Sequence, residues 1–394
     1  MLRYCTRCVM PDTKPDLSFD EDGVCDACRS AAEKKSIDWT AREKEFRELV
    51  QRFKQKDASN YDCIIPVSGG KDSHYQAYMA RQYGLNPLLI CFEATIRTAV
   101  GAKNLENIRR FGDLIEFKKN PDVYKKMCLE GFRRVGDHEW PNHVGIFTFP
   151  IRMAVALRIP LVLWGENAQL EYGGPKASRM KNALDRRWLE EFGGLLGLRV
   201  EDMVGPEIGI TREDLIPYTY PSDEELQAAQ IHGAFLGYYF KWDAHPQTEL
   251  MQMHGFSLKE DGPVEGTYHN YEKIDEATHP VHDYLKFVKF GFGRGTDHAC
   301  TDIRNGRITR DEGVRLVETY DTKRPKKAIA DFLKHFEMPE EEFDRAVDSF
   351  TNKAIFMTDE KGKLLRDADG NLIKKYQDYS IQAQLRVARA ERKI

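Results

Sequence analysis

The chain has 394 residues, 41% hydrophobic and 31% charged, a make-up that fits a folded body of two or three domains and excludes collagen-like, mucin-like and wholly disordered classes. Lys and Arg total 59 against 63 Asp and Glu, a net charge of −4, which argues against a main role in gripping nucleic acid. No run approaches the roughly 18 apolar residues of a membrane span and the N-terminus lacks an apolar signal region, so a cytoplasmic protein without membrane insertion is expected.

Cysteine spacing comes first along the chain. Cys5 and Cys8 form one CxxC and Cys25 and Cys28 another, with 16 residues between the pairs. A two-residue gap lets both thiolates of a knuckle face one ion, and the segment between is long enough to fold back as a ribbon. Four thiolates suit a closed, structural Zn²⁺ site; a redox CxxC and an iron–sulfur cluster are the competing uses of this spacing. The intervening segment is rich in turn residues and poor in apolar ones, so the metal is expected to hold it together. Cys63, Cys91, Cys128 and Cys300 are scattered and read as packed, inert thiols.

Residues 39–56 carry apolar positions at helical spacing. The apolar run 63–67 then reads as a strand and 72–83 as a helix ended by Gly84, with Ser68-Gly69-Gly70-Lys71-Asp72-Ser73 between them. Two glycines allow backbone N–H groups to turn toward an anion, and the following helix directs its positive end at the same place. The serine hydroxyls and Lys71 add donors and charge. This is not the P-loop of ordinary NTPases, which has four residues between its glycines and a Gly-Lys-Ser/Thr ending. An acidic residue, Asp72, inside the loop makes sense where a Mg²⁺ carried by a polyphosphate must be held. A ligand-free glycine turn is the competing reading.

Alternation continues, with strands expected at 87–92, 114–118 and 161–164 and helices at 98–111, 121–135 and 143–158. Strands alternating with helices imply an α/β fold with a parallel sheet and ligands at the carboxyl ends of its strands. Residues 93–97 and Gly165-Glu166-Asn167 should share that edge with the loop. Gly165, Glu166, Asn167, Glu171 and Tyr172 are therefore candidates to read a second substrate; the alternative is a helix cap and a solvated turn. Residues 235–242 are dense in aromatics and read as one more strand, in the core or as a stacking wall. Residues 245–254 read as a helix. In the segment 289–304, Arg294, Asp297 and His298 could face a charged substrate or decorate a glycine-rich helix entry. Helices follow at 310–320, 326–336 and 339–353, with the region from 309 to the end read as helical. The expected division is a zinc ribbon (1–36), an α/β body (37–255) and a mainly helical substrate or partner region (256–394).

The loop resembles the SGGxDS signature of the PP-loop ATP pyrophosphatase (adenine nucleotide alpha hydrolase-like) superfamily, matched at Ser68, Gly69, Gly70, Asp72 and Ser73. That likeness implies ATP cleavage between the α and β phosphates, with the loop, including Lys71, retaining pyrophosphate. Together with the CxxC pairs, Gly-Glu-Asn, Glu-Tyr-Gly-Gly and Gly-Phe-Gly-Arg-Gly-Thr-Asp-His, the chain from Cys5 to about Tyr320 looks like the N-acetyl sugar amidotransferases of bacterial surface-glycan synthesis. The resemblance implies a nucleotide-activated acetamido sugar as substrate, ATP as cosubstrate, Mg²⁺, and Lys71 and Asp72 as catalytic residues. No Gly-x-Cys-x-Gly glutaminase elbow occurs and residue 2 is Leu, so ammonia is expected from elsewhere. Relatives imply a glutaminase subunit and a cyclase-like ammonia-channelling subunit, similar to the pair used in imidazole synthesis. A PP-loop tRNA-modifying thiolase and a non-enzymatic zinc-ribbon module are the competing functions.

Overall fold

The computed structural model describes residues 2–166, 171, 196–376, 378–380 and 384. After α1 (Asp26–Glu33) and α2 (Trp39–Phe53) come β1 (Cys63–Val67), α3 (Lys71–Gln82), β2 (Pro87–Phe92), α4 (Ala99–Ile108), β3 (Asp113–Phe117), α5 (Pro121–Val135), α6 (Trp140–Leu157) and β4 (Leu161–Trp164). Local chemistry sets several boundaries. Asp38 and Asn120 accept N–H bonds from the first turns of α2 and α5, Pro121 starts α5 without a wasted donor, and Gly136 ends it in the left-handed conformation.

The five strands, completed by β5 (His232–Phe235), are all parallel in the order β3-β2-β1-β4-β5. The α/β, parallel-sheet expectation therefore holds. β2 is buried along its whole length and β3, at the edge, is half exposed. One face of the sheet packs on Phe46 and Val50 of α2, Ala77 and Ala80 of α3 and Leu105 and Ile108 of α4; the other packs on Ile151 and Ala154 of α6. Strand order reverses at β1, with β2 on one side and β4 on the other. A parallel sheet opens a ligand crevice at such a switch point, beyond the carboxyl ends of the two strands.

Past β5 come a helical turn at Leu236–Tyr239 and a helix at Ala244–Met253, followed by α-helices at His279–Phe290, Arg294–Arg304, Arg310–Tyr320, Lys326–Phe336 and Glu340–Phe350. With α7 as Asp223–Ala228, these are α8 to α14 in order. Two sequence expectations are corrected. Residues 235–242 are not a strand: β5 stops at Phe235 and the chain turns into α8, whose Leu236 and Tyr239, with Trp242 just beyond, sit in the core. The region beyond Phe350 is not helical over 351–376. It forms short antiparallel bridges, Phe356 with Lys374, Thr358 with Leu364 and Arg366 with Leu372, turned at Gly362 and Gly370 with positive φ.

The C-terminal helices share a core with α5 and α6, where Phe132 meets Phe332 and Phe343 and Val144 joins Val281 and Leu285. The cysteine ribbon packs on α11 and α12 through Tyr4, Val9 and Met10 against Phe292, Ala299 and Val317. No helix among the described residues is long and apolar enough to cross a membrane.

Candidate functional site

The four ribbon cysteines are buried and their Sγ atoms lie within 4.8 Å of one another. Cys5 and Cys28 are 4.0 Å apart and Cys8 and Cys25 3.7 Å. A ZnS₄ tetrahedron with Zn–S of about 2.3 Å has edges of about 3.8 Å, so the donor set fits a closed zinc site. The backbone N–H groups of Arg7, Cys8 and Cys25 point at Cys5 Sγ at 3.4, 3.4 and 3.2 Å, as needed to stabilise thiolate charge. From α12, Arg310 donates to the carbonyls of Cys5 and Cys8. The four thiolates can hold a zinc ion. The other cysteines read as inert, and burial raises the thiols of Cys63 and Cys128 and pushes Cys91 up to about 11.

The loop after β1 is curled by its own serines: Ser68 N–H donates to Ser73 Oγ at 3.0 Å and Gly70 N–H to Ser68 Oγ at 3.2 Å. Gly69 has φ +94°, and a Cβ there would stand 3.0 Å from the Leu105 backbone nitrogen and 3.2 Å from its Cα. Gly69→Ala should therefore destabilise the chain by about 1–2 kcal/mol, read as a lower melting midpoint. An unchanged midpoint would mean that the loop is not held in this conformation.

Beside the loop lies a cavity of about 270 Å³. Pro66, Ser68 and Ser73 form one wall, Phe92, Phe147 and Trp164 an apolar one, and Glu139, His143, Glu276 and His279 a charged one. Arg97 also lines it, donating to the Ser68 carbonyl at 3.3 Å and pairing with Glu116 at 2.7 Å. Residues 93–97 thus do share the strand-end edge with the loop.

Lys71 is buried and faces a smaller neighbouring cavity, of about 40 Å³. Its ammonium lies 2.6 Å from Asp72 and 2.9 Å from Glu272. Burial alone would push its pKa down, but the two carboxylates outweigh burial and hold it charged, above the ordinary lysine value. Glu166 and Glu171 line the same small cavity; burial first, then the charges of Asp72 and Glu171, raise Glu166 to about 8. Glu171 pairs with Lys34, just after α1, and its carbonyl accepts from Arg304 at 3.2 Å. Gly165 has a packing reason, since a Cβ there would be 2.3 Å from Gln76 Nε2. Asn167 and Tyr172 lie outside the described residues.

The three candidates on α11 part ways. His298 reaches the small cavity, where Thr267 Oγ1 is 2.8 Å from its Nδ1 and burial lowers its pKa to about 3. Asp297 is paired with Lys286 at 2.6 Å, and Arg294 grips the buried Asp283 from Nε at 3.1 Å and from NH2 at 3.0 Å. These two act as internal ties. Arg294→Ala should cost about 3 kcal/mol of stability, because it removes the cation that offsets the buried Asp283 most and leaves Lys286, 3.6 Å away, with His279 and His282. A thermal melt equal to the wild type's would contradict this.

Sequence reasoning missed Glu272, which reaches Lys71 from far along the chain, and the charged wall formed by Glu139, His143, Glu276 and His279. The available signal was the density of His and acidic residues at 137–143 (Asp-His-Glu-Trp-Pro-Asn-His) and 276–283 (Glu-Ala-Thr-His-Pro-Val-His-Asp). No curated protein matches the chain significantly. Residues 265–368, which supply Glu272, Glu276 and His279 to the site, match the family model described as LPS biosynthesis protein WbpG-like, C-terminal domain, a likeness that supports a lipopolysaccharide or related surface-polysaccharide setting.

Proposed function

We propose that this chain is an ATP-dependent amidotransferase of the PP-loop kind. It converts the acetamido group of a nucleotide-activated sugar to an acetamidino group during lipopolysaccharide or related surface-glycan synthesis in the cytoplasm. The observation that carries the reading is the placement of the Ser68–Ser73 loop: at the sheet's switch point, against a cavity of about 270 Å³, with the region matched to a lipopolysaccharide family closing the other side.

An amide carbon is a poor electrophile, so the reaction must first make its oxygen a leaving group. On this reading the amide oxygen attacks the α phosphate of ATP, giving an O-adenylyl imidate and pyrophosphate, and ammonia then displaces AMP. The Ser68 and Ser73 hydroxyls and the N–H groups of Gly69, Lys71 and Asp72 would hold the departing pyrophosphate, with Arg97 and Lys71 offsetting its charge. Phe92, Phe147 and Trp164 offer apolar faces for the base. Asp72, whose buried Oδ1 has no hydrogen-bond partner, and Glu166 are the carboxylates that would hold Mg²⁺, which when bound neutralises polyphosphate charge. A separate glutaminase and a cyclase-like channelling subunit would supply ammonia, with residues 256–394 offering substrate or partner contacts. The tRNA thiolase alternative needs an accessible thiolate, and Cys63, Cys91 and Cys128 are buried with raised pKa values.

Mass analysis of products formed from ATP, ammonium and a panel of acetamido sugar nucleotides tests the proposal. A product that has exchanged O for NH is expected. Sulfur incorporation, or an unaltered panel, would sink it.

A further inference from the structure

Resting on that function, the charged wall of the cavity raises the question of where the nitrogen nucleophile is made. At neutral pH dissolved ammonia is almost all ammonium, which has no lone pair, so one proton must leave before attack.

Across the cavity from the phosphate loop, Asp137 and Glu139 precede and begin α6, which carries His143, and α10 brings His279 and His282 against them. Asp137 is buried and accepts the Glu139 N–H at 2.9 Å. Its two carboxylate oxygens reach two histidines: Oδ1 is 2.8 Å from His282 Nδ1 and Oδ2 3.3 Å from His143 Nδ1. His143 Nδ1 is buried and makes no hydrogen bond among the described residues, so Asp137 acts on it as a nearby negative charge, while the half-buried ring lines the cavity. A carboxylate beside Nδ1 favours the tautomer with its proton there, which leaves the lone pair on Nε2. That nitrogen is 3.8 Å from Glu139 Oε2, a separation that a single ammonium can bridge with one N–H to each.

We propose that this corner is the ammonium site and that His143 is the base that converts ammonium to ammonia, with Asp137 as its positioning residue. An N–H bond of ammonium breaks, its proton goes to His143 Nε2, and the freed electron pair attacks the imidate carbon. The C–O bond to AMP then breaks, AMP leaves with that pair, and the amidine keeps one positive charge. His143 returns its proton to water at the cavity mouth.

The charges facing His143 fit this role. Burial would lower His282, but Asp137 outweighs burial and raises it, and the His282 ring lies 5.0 Å from that of His143. Glu139 is held ionised by His279 in spite of its burial and offsets the charge that His143 gains. Burial, then the charge of Glu139, pushes Glu276 up to about 7, so it is only partly ionised at neutral pH.

The test separates adenylation from amination in the full chain with its zinc. Sugar-dependent ATP–pyrophosphate exchange without ammonia reads the first step, and amidine formation with ammonium chloride reads the second. His143→Asn keeps a donor where Nδ1 stood and removes Nε2. Its ratio of amination to exchange should fall about 10²-fold or more at neutral pH and recover at alkaline pH, where ammonia is already the free base. His143→Gln, which places an amide near Nε2 with no basic lone pair, should show the same loss. An unchanged ratio at neutral pH, a loss that alkaline pH does not repair, or a metal ion retained by Asp137, His143 and His282 in the purified chain would each overturn the inference. Absence of sugar-dependent exchange in the wild type would overturn the proposed function itself.

Discussion

Removing the buried cation of the loop, in a Lys71→Met/Glu272→Gln double variant, should cut turnover about 10²–10³-fold while the melting midpoint stays near that of the wild type. Lys71 sits between Asp72 and Glu272 at 2.6 and 2.9 Å, with almost no exposure to solvent. On the proposed function its charge would be in place before any phosphate arrives, so no reorganisation would be needed when negative charge develops there. The pairing also dictates the form of the experiment. Lys71→Met alone leaves Glu272 buried without its cation, at a cost of about 3–5 kcal/mol, and would confuse lost folding with lost chemistry. Taking away both charges leaves neither Lys71 nor Glu272 buried without its partner, and the remaining carboxylate, Asp72, has a side chain 39% exposed to solvent. The single Glu272→Gln variant, which leaves Lys71 with Asp72, should lose far less turnover than the double variant. Equal losses in the two would mean that Lys71 serves Glu272 and not the phosphates.

Loss of the ribbon cysteines should have the largest effect on stability. Cys8→Ser opens the four-thiolate set, and a structural zinc site contributes on the order of 10 kcal/mol in isolated ribbons, as much as the whole stability of many domains. Here the ribbon is also held by Tyr4, Val9 and Met10 against α11 and α12 and by Arg310 on the knuckle carbonyls. Damage should therefore spread to α11, which carries His298 beside the small cavity, and through Arg304 to Glu171. The purified wild type should contain about one zinc per chain, and Cys8→Ser none, with a poorly soluble chain or a melt that has lost its cooperativity. A zinc-free variant that melts like the wild type would contradict a structural role.

Local pattern made the scaffold and the loop legible. The strand, Ser-Gly-Gly-Lys-Asp-Ser and helix are consecutive, so one window of sequence reports all three. The same holds for the CxxC spacing, because each knuckle is a local turn. Glu272 and Glu276 were not legible: they meet Lys71 and Ile96 only after about 200 and 180 residues of intervening chain have folded, and no short-range period encodes that. For Arg294 the sequence left two readings open, facing a charged substrate or decorating a helix entry, because its partner Asp283, one turn into the preceding helix, is not marked by any local pattern. At 351–376 the charged, mildly amphipathic pattern suggested helix, although Asp359-Glu-Lys-Gly362 and Asp367-Ala-Asp-Gly370 carried turn chemistry. In the fold, the Gly362 and Gly370 N–H groups close turns onto the carbonyls of Asp359 and Asp367.

On the proposed function, ATP is cut between its α and β phosphates to activate an amide oxygen. Incubating the full chain with ATP labelled at the α phosphate, ammonium and the acetamido sugar nucleotides, then identifying the labelled nucleotide, tests it most directly. AMP is expected, matched by pyrophosphate and dependent on the sugar nucleotide; labelled ADP, or AMP formed equally without the sugar, would overturn the proposed function.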